Sequence, residues 1–471
     1  MAGMESTTAH PAAPVPESAP SLLRQLGVVS AAALVVSNMV GSGIFGTTGF
    51  LAGDLGTPGL VFSIWIVGAL CALAGAFCYS ELGVNFPSSG GEYVYLTRAY
   101  GPTWGFMTGI TSFFAGFSGP IALAALTFTE YLGHFWPSLR EANAPYVFGP
   151  AWFTFRLGSG QLCASALIAT FTIINIFGVK PVAALQNVLT STKIAVIAGF
   201  VLLGIAAGTG SWSHLSEETT RTSSTPLAAQ FAISLFFVYV SYSGWNAATY
   251  VAEEIRQPAK TLPVALAIGT ALVTVTYLCL NLVFIYAVPL EKMKGVIAVG
   301  DLAASHLFGP AVAGIFSLLM AVALVSTVNA MVTIGPRVYY AMAKNGAFFQ
   351  SAAYVHPRFR TPVYAILWQG VCAIVLTITP FPHLVFFIGF LLNFFAAVTV
   401  SSIFVFRKRP GWQKLPVVSF AFPLIPAFFV LVATWMTLFG VTLDPVVAAI
   451  AIGAVLGSTL VFHFAAPSKG A

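Results

Sequence analysis

LVVSNMVGSGIFGTTGFLA, running from Leu34 to Ala52, decides how this chain is to be read. It is apolar enough to cross a bilayer, yet Gly41, Ser42 and Gly43 stand at its centre. A glycine inside a helix costs about 1 kcal/mol relative to alanine, so this cluster asks for a structural reason. A second stretch has the same form. SLFFVYVSYSGWNAATYVAEE, from Ser234, carries Ser241, Ser243 and Gly244 mid-way. Both patterns read as membrane helices interrupted near the bilayer midplane.

The rest of the composition agrees. Of 471 residues, 58% are hydrophobic and 7% are charged, where a soluble domain carries roughly 25% charged residues. Such a chain cannot cover a water-facing surface, so lipid is its main solvent. The net charge of +6 does not mark a nucleic-acid binder, because the basic residues lie in short segments between apolar runs. Runs of the length a bilayer requires occur near 26–52, 57–83, 103–131, 159–178, 184–207, 226–252, 261–288, 309–334, 362–379, 383–406, 416–440 and 444–464. The expectation is an all-α integral membrane protein with twelve transmembrane helices. Gly101, Gly105 and Gly109 read as a close-packing helix face.

Orientation follows from the basic residues. With the N-terminus inside, the inner segments hold fourteen Lys and Arg and the outer segments five, with Lys193 left over in mid-helix. This bias predicts cytoplasmic N- and C-termini and a place in the cell inner membrane. Residues 1–20, rich in Ala, Pro, Ser and Thr, lack the features of a signal peptide and read as a disordered cytoplasmic tail.

The interrupted runs are the first and the sixth, each opening a set of five. Five is odd, so the second set enters the membrane the other way up, which is the plan of a five-plus-five inverted repeat. The predicted organisation is a tail (1–20), a first repeat (21–225), an inverted second repeat (226–410) and two further helices (411–471). Unwinding at 41–43 frees N–H groups at the start of the following half-helix, whose dipole suits a carboxylate. The carbonyls that end the flanking half-helices suit an ammonium group. A zwitterionic amino acid presents both. No acid lies at the centre of this pocket, which favours neutral side chains.

The five cysteines, at 71, 78, 163, 279 and 372, all lie inside apolar runs without metal-ligand or disulfide spacing, and the seven histidines are scattered singly. No metal site, cofactor or enzymatic nucleophile is expected. Glu81, Glu253 and Glu254 read as caps or gate ion pairs, and Glu130 as a residue of the membrane interface. Lys193 stands nine residues into its run, roughly 13 Å from the helix end. An intramembrane lysine is a functional candidate by default.

At the interrupted helices a family becomes recognisable. The chain resembles the amino acid–polyamine–organocation superfamily, and within it the L-type amino acid transporters and their bacterial relatives. The motifs are GSGIF at 41–45, ELGVNFPSSGGEYVYLTRAYG at 81–101, YSGWN at 242–246, VAEEIRQPAKTLP at 251–263 and GPRVYYAMAKNGAF at 335–348. The resemblance implies the leucine-transporter fold, with helices 1 and 6 broken. It also implies that the amides of Ser42, Gly43 and Ile44 receive a substrate carboxylate. The carbonyls of Met39, Val240 and Ser243 would meet the amino group, and Asn393 would stand beside the side-chain pocket. Where many relatives carry an aromatic gate, this chain has Val240, so Tyr239 or Tyr242 takes over or the pocket is roomier. Lys193 matches a family lysine in the place of a sodium ion, with Ser326 and Thr327 as its expected partners and carbonyls near Val36–Met39 as acceptors. Animal members are tied to a glycoprotein through a cysteine in the connection near 132–158. This chain has none there, so no disulfide-linked heavy subunit is expected.

The leading expectation is a sodium-independent secondary transporter that exchanges neutral L-amino acids by alternating access. The alternatives are a proton-coupled symporter, a polyamine or arginine antiporter, and a membrane-embedded amino acid sensor.

Overall fold

A computed structural model of the protein describes residues 26–465 apart from 88–90, 151–152, 178–179, 345 and 347. The predicted tail at 1–20 lies outside the described residues, as do Arg24 and Lys469.

The described chain is built almost wholly of helices. The first apolar run forms three pieces, α1 (Val28–Met39), α2 (Ser42–Gly46) and α3 (Thr48–Leu55). Gly56 ends α3 with a left-handed φ of 74°. Pro58 then opens α4 (Pro58–Asn85), where the Thr57 hydroxyl caps the helix by accepting the Leu60 N–H at 3.3 Å. The connection after α4 holds α5 (Gly91–Tyr100). The third run is α6 (Pro102–Thr111), a π-helical stretch (Ser112–Ser118) and α7 (Gly119–Leu132). Next come α8 (Ser159–Ile176), α9 (Lys180–Ala207) and α10 (Leu227–Tyr242), which continues after a break as a 3-10 segment, Ala247–Glu254. The chain goes on through α11 (Pro258–Ala287), the short α12 (Leu290–Met293), α13 (Val299–Phe308) and α14 (Pro310–Lys344). It finishes with α15 (Val363–Leu376), α16 (Phe381–Phe406), α17 (Pro416–Ser419), α18 (Leu424–Leu443) and α19 (Pro445–Ala465).

Among the described residues, ten helices are long and apolar enough to cross a membrane. Two shorter apolar helices, Val363–Leu376 and Pro445–Leu460, stand where the ninth and twelfth runs were expected. The connection after α7 departs from an all-helical reading. It carries a two-stranded antiparallel hairpin, β1 (Tyr146–Phe148) with β2 (Phe155–Leu157), because backbone groups outside a helix must pair elsewhere. Gly101 also differs from expectation. It is a turn residue at φ 103° with open space around it, whereas Gly105 and Gly109 do pack closely, on Thr97 and Met342.

Small residues let the central helices approach. A Cβ on Gly68 of α4 would stand 2.3 Å from Val238 of α10, and one on Gly269 of α11 would stand 2.8 Å from Val35 of α1. Gly75 makes room for Trp245, whose indole packs edge-on against Tyr79 at 4.7 Å between ring centroids. This tryptophan is therefore a packing residue.

At the end of α4, Glu81 is fully buried and accepts four hydrogen bonds. Arg407 donates from Nε at 2.8 Å and Nη2 at 2.6 Å, the Trp412 indole at 2.8 Å, and the Leu415 N–H at 2.9 Å. The bidentate pair ties α4 to the end of α16 and the turn before α17. Removing one partner of a buried pair strands the other charge. Glu81→Ala is expected to lower stability by about 3–5 kcal/mol, read as a fall in thermal unfolding temperature in detergent.

Candidate functional site

The two interrupted helices meet face to face. Helix α1 stops at Met39, and Val40 (φ −73°, ψ 94°) and Gly41 (φ −142°, ψ −155°) are extended before Ser42 starts α2. The unwinding thus falls at 40–41, slightly before the expected 41–43, and Gly43 belongs to the first turn of the next helix. In α10 the helix persists through Tyr242, and the break runs from Ser243 to Asn246, later than the expected 241–244. Gly244 takes φ 99°, and a Cβ there would lie 2.9 Å from the Asn38 backbone. Only glycine supplies both that conformation and that closeness.

The carbonyls released at the first break are met by two side chains from other helices. Lys193, on α9 and only 2% exposed, donates from Nζ to the Val40 carbonyl at 2.6 Å and to the Ser37 carbonyl at 3.4 Å. Ser37 lies within the predicted Val36–Met39 range, and Val40 lies one residue beyond it. The Tyr277 hydroxyl, on α11, stands 2.8 Å from the Met39 carbonyl and 2.9 Å from the Ser241 carbonyl. One phenol proton serves one acceptor at a time, so one of these carbonyls always has room for another donor. Sequence reasoning missed Tyr277, and it named Ser241 as part of the interruption without assigning its carbonyl a role. The available signal for Tyr277 was a hydroxyl in mid-run, in VTYLCLNLVF.

The remaining expected residues divide into two groups. Ser42, Gly43 and Ile44 form the buried first turn of α2, facing the break. A Cβ on Gly43 would stand 2.4 Å from Cα of Ser241, so this glycine sets how closely the two broken helices approach. The Val240 carbonyl accepts the Ser243 N–H at 3.1 Å. Tyr239 and Asn393 stand apart from the break, lining a small cavity between α4, α10, α16 and α18. The Asn393 amide donates to the Ala433 carbonyl at 2.9 Å and Thr437 at 3.1 Å, both on α18. Tyr242 donates to the Trp65 carbonyl of α4 at 3.2 Å. Ser326 is 3.4 Å from the Thr190 hydroxyl, one turn before Lys193. The buried Thr327 hydroxyl has no hydrogen-bond partner among the described residues, and its methyl lies 3.5 Å from where a Cβ on Gly41 would be.

The face opposite Leu26 is closed over the break. Phe50 of α3 stacks on Phe381 at 5.7 Å and meets Phe237 at 5.5 Å. Gly49 is pressed against the turn after α12, where a Cβ would lie 2.1 Å from the Val296 carbonyl. Glu141 holds Phe381 in place by accepting its N–H at 3.0 Å. Burial pushes the Glu141 carboxyl above its ordinary range, and the Phe381 N–H and Arg156 pull it back. Glu130, near the end of α7, is buried and accepts the Glu141 N–H at 2.5 Å. Among the described residues, no group of His, Cys, Asp or Glu could hold a metal ion.

A family model described as amino acid permease matches residues 26–464. The chain belongs to that family. The permease is 28% identical over 448 residues to the large neutral amino acids transporter small subunit 2 of Mus musculus, covering 94% of this chain and 81% of that one. It is 28% identical over 431 residues to the serine/threonine exchanger SteT of Bacillus subtilis (strain 168), covering 88% and 92%. It is 25% identical over 453 residues to the Asc-type amino acid transporter 1 of Mus musculus, covering 94% and 81%. The family expected from the five motifs is the family found.

The geometry makes two expectations. Gly43→Val forces α2 away from Ser241, so ligand binding is expected to fall alike for all amino acids, measured by calorimetry or thermal shift across a panel. Tyr277→Phe removes the donor that spans the two breaks. It is expected to weaken binding of the whole panel by about 1 kcal/mol, the net worth of one hydrogen bond. A changed preference between side chains, without a general loss, would count against both assignments.

Proposed function

We propose that this permease carries neutral L-amino acids across the cell inner membrane by alternating access, without sodium, as an exchanger. The observation that carries this reading is the meeting of two broken helices. The amides of Ser42, Gly43 and Ile44 open one half-helix, and the carbonyls of Met39 and Ser241 end two others within reach of one hydroxyl. The amides receive the substrate carboxylate. Met39, Val240 and Ser243 take the ammonium group, in an arrangement that the Tyr277 hydroxyl holds together. The large neutral amino acids transporter and the serine/threonine exchanger both act, by name, on amino acids with neutral side chains, and the second is an exchanger.

The architecture we propose has twelve spans, counting the two shorter helices, arranged as a five-plus-five inverted repeat with both termini cytoplasmic. On that reading the Phe50–Phe381–Phe237 stack lies on the outer side and does the covering that Val240 cannot. Tyr239 and Asn393 shape the region reached by the substrate side chain. With no cysteine between 132 and 158, the permease works without a disulfide-linked heavy subunit.

Sodium independence rests on Lys193. Its ammonium sits on the Val40 and Ser37 carbonyls, where a cation would otherwise coordinate, and it repels a cation from that spot. Thr327, with its unpartnered hydroxyl beside Gly41, offers Lys193 a further acceptor during the cycle.

The test is uptake of labelled amino acids into proteoliposomes with and without internal substrate. Uptake is expected to need internal neutral amino acid, to ignore replacement of sodium by potassium, and to fall at least tenfold, that is by about 1.4 kcal/mol or more, in Lys193→Ala. A strict sodium requirement would refute the reading of Lys193. Stimulation by a pH gradient that vanishes in Lys193→Ala would replace exchange by proton-coupled symport. Binding without flux would make the protein a sensor.

A further inference from the structure

One carboxylate next to the second break is unused by any role described so far. Glu92 stands in the first turn of α5, half-buried. Its Oε1 accepts the Asn246 amide at 2.6 Å, and its Oε2 accepts the Tyr250 hydroxyl at 2.5 Å. Asn246 ends the unwound stretch of the sixth run, and Tyr250 lies in the 3-10 segment that follows. The amide also reaches the Tyr250 oxygen at 3.2 Å, which closes a three-membered ring of polar groups. Neither donor carries a charge, and no ion pair to Glu92 occurs among the described residues. Charge-assisted bonds of this kind are stronger than neutral ones.

The surroundings show that the contact is built. Gly91 takes φ 47°, and a Cβ there would lie 2.1 Å from the Tyr250 ring, so the start of α5 is pressed onto that side chain. Helix α5 is fixed at its other end to α16, through Tyr100 and Ser401 at 3.0 Å, and the Arg98 carbonyl accepts from Arg409 at 3.0 Å. Glu92 therefore joins a segment anchored on α16 to the part of the sixth run that follows the break.

We propose that Glu92 is the latch of the cytoplasmic gate, a positioning residue that holds the post-break segment of the sixth run through Asn246 and Tyr250. The proposal rests on the alternating-access reading above. The bonds are made in a conformation whose opposite face is closed by Phe50, Phe381 and the turn after α12. The latch keeps the inner side closed in that conformation, so weakening it shifts the population toward the state open to the cytoplasm.

The test compares wild type, Glu92→Gln, Tyr250→Phe and the double variant in oriented proteoliposomes. The apparent KM of a neutral amino acid is measured from each side. The ratio of outer to inner KM is expected to rise about fivefold or more in each single variant. The double variant is expected to do no more than the stronger single one, since both break one network. A lower maximal rate with an unchanged ratio, in variants that run as one symmetrical peak on gel filtration, would overturn the latch. A second readout needs no transport. Ile297, buried beside Gly46 in the closed face, is replaced by cysteine in a chain whose five native cysteines are alanine. Its labelling by a membrane-impermeant thiol reagent is expected to slow down in Glu92→Gln, and an unchanged rate would overturn the latch. Absence of flux in the wild type would instead count against the transport reading, and the labelling result would still decide the latch.

Discussion

In hydrocarbon every backbone amide and carbonyl must find a partner inside the protein, and two helices of this chain leave some of theirs without one. The break at Val40–Gly41 releases carbonyls where no water need be present. Lys193 and Tyr277 reach them from α9 and α11, 2.6 Å from Val40 and 2.8 Å from Met39. Much of the remaining structure serves to bring those two side chains to that spot. Gly269 lets α11 lie against α1, and Gly43 and Gly244 let the two broken helices touch. A bulkier residue at any of these positions would separate the carbonyls from their donors.

The donors differ in what they permit. The lysine ammonium has three protons and a charge, so it satisfies its carbonyls and, in the function we propose, keeps a metal cation from that spot. The tyrosine hydroxyl has one proton for two carbonyls, on two different helices. It holds the pair together without saturating either. That incomplete satisfaction is what makes the break a place for a visiting ammonium group in the function we propose, since a fully bonded break would be a structural kink and nothing more.

Away from the breaks, acids fix the ends of helices. Glu81 clamps α4 to Arg407, Glu141 holds the first N–H of α16, and Asp301 of α13 gathers His134, Arg140 and Ser317. Each is buried and multiply bonded, as buried charges must be. These contacts lock connections in place. The apolar stack of Phe50 on Phe381 and Phe237 has no such directional bond of its own. It can part without stranding a charge, which suits a surface meant to open.

The sequence by itself determined the solvent, the helices and the family. Charge scarcity excluded a water-facing fold, run lengths located the helices, and the glycines of GSGIF and YSGWN marked the breaks to within a few residues. These properties are local, set by composition and by backbone preference along the chain. It also singled out Lys193, because a charge in an apolar run is conspicuous without any structure. Only the tertiary structure decided which carbonyls that lysine meets, and that Gly43 faces Ser241. Only there does Asn393 turn toward α18, and Glu130 meet the Glu141 amide. Tyr277 and Glu92 stayed hidden for the same reason. Their partners lie far away in sequence, at Met39 and at Asn246 and Tyr250, and a pairing across the fold leaves no periodicity for the sequence to display.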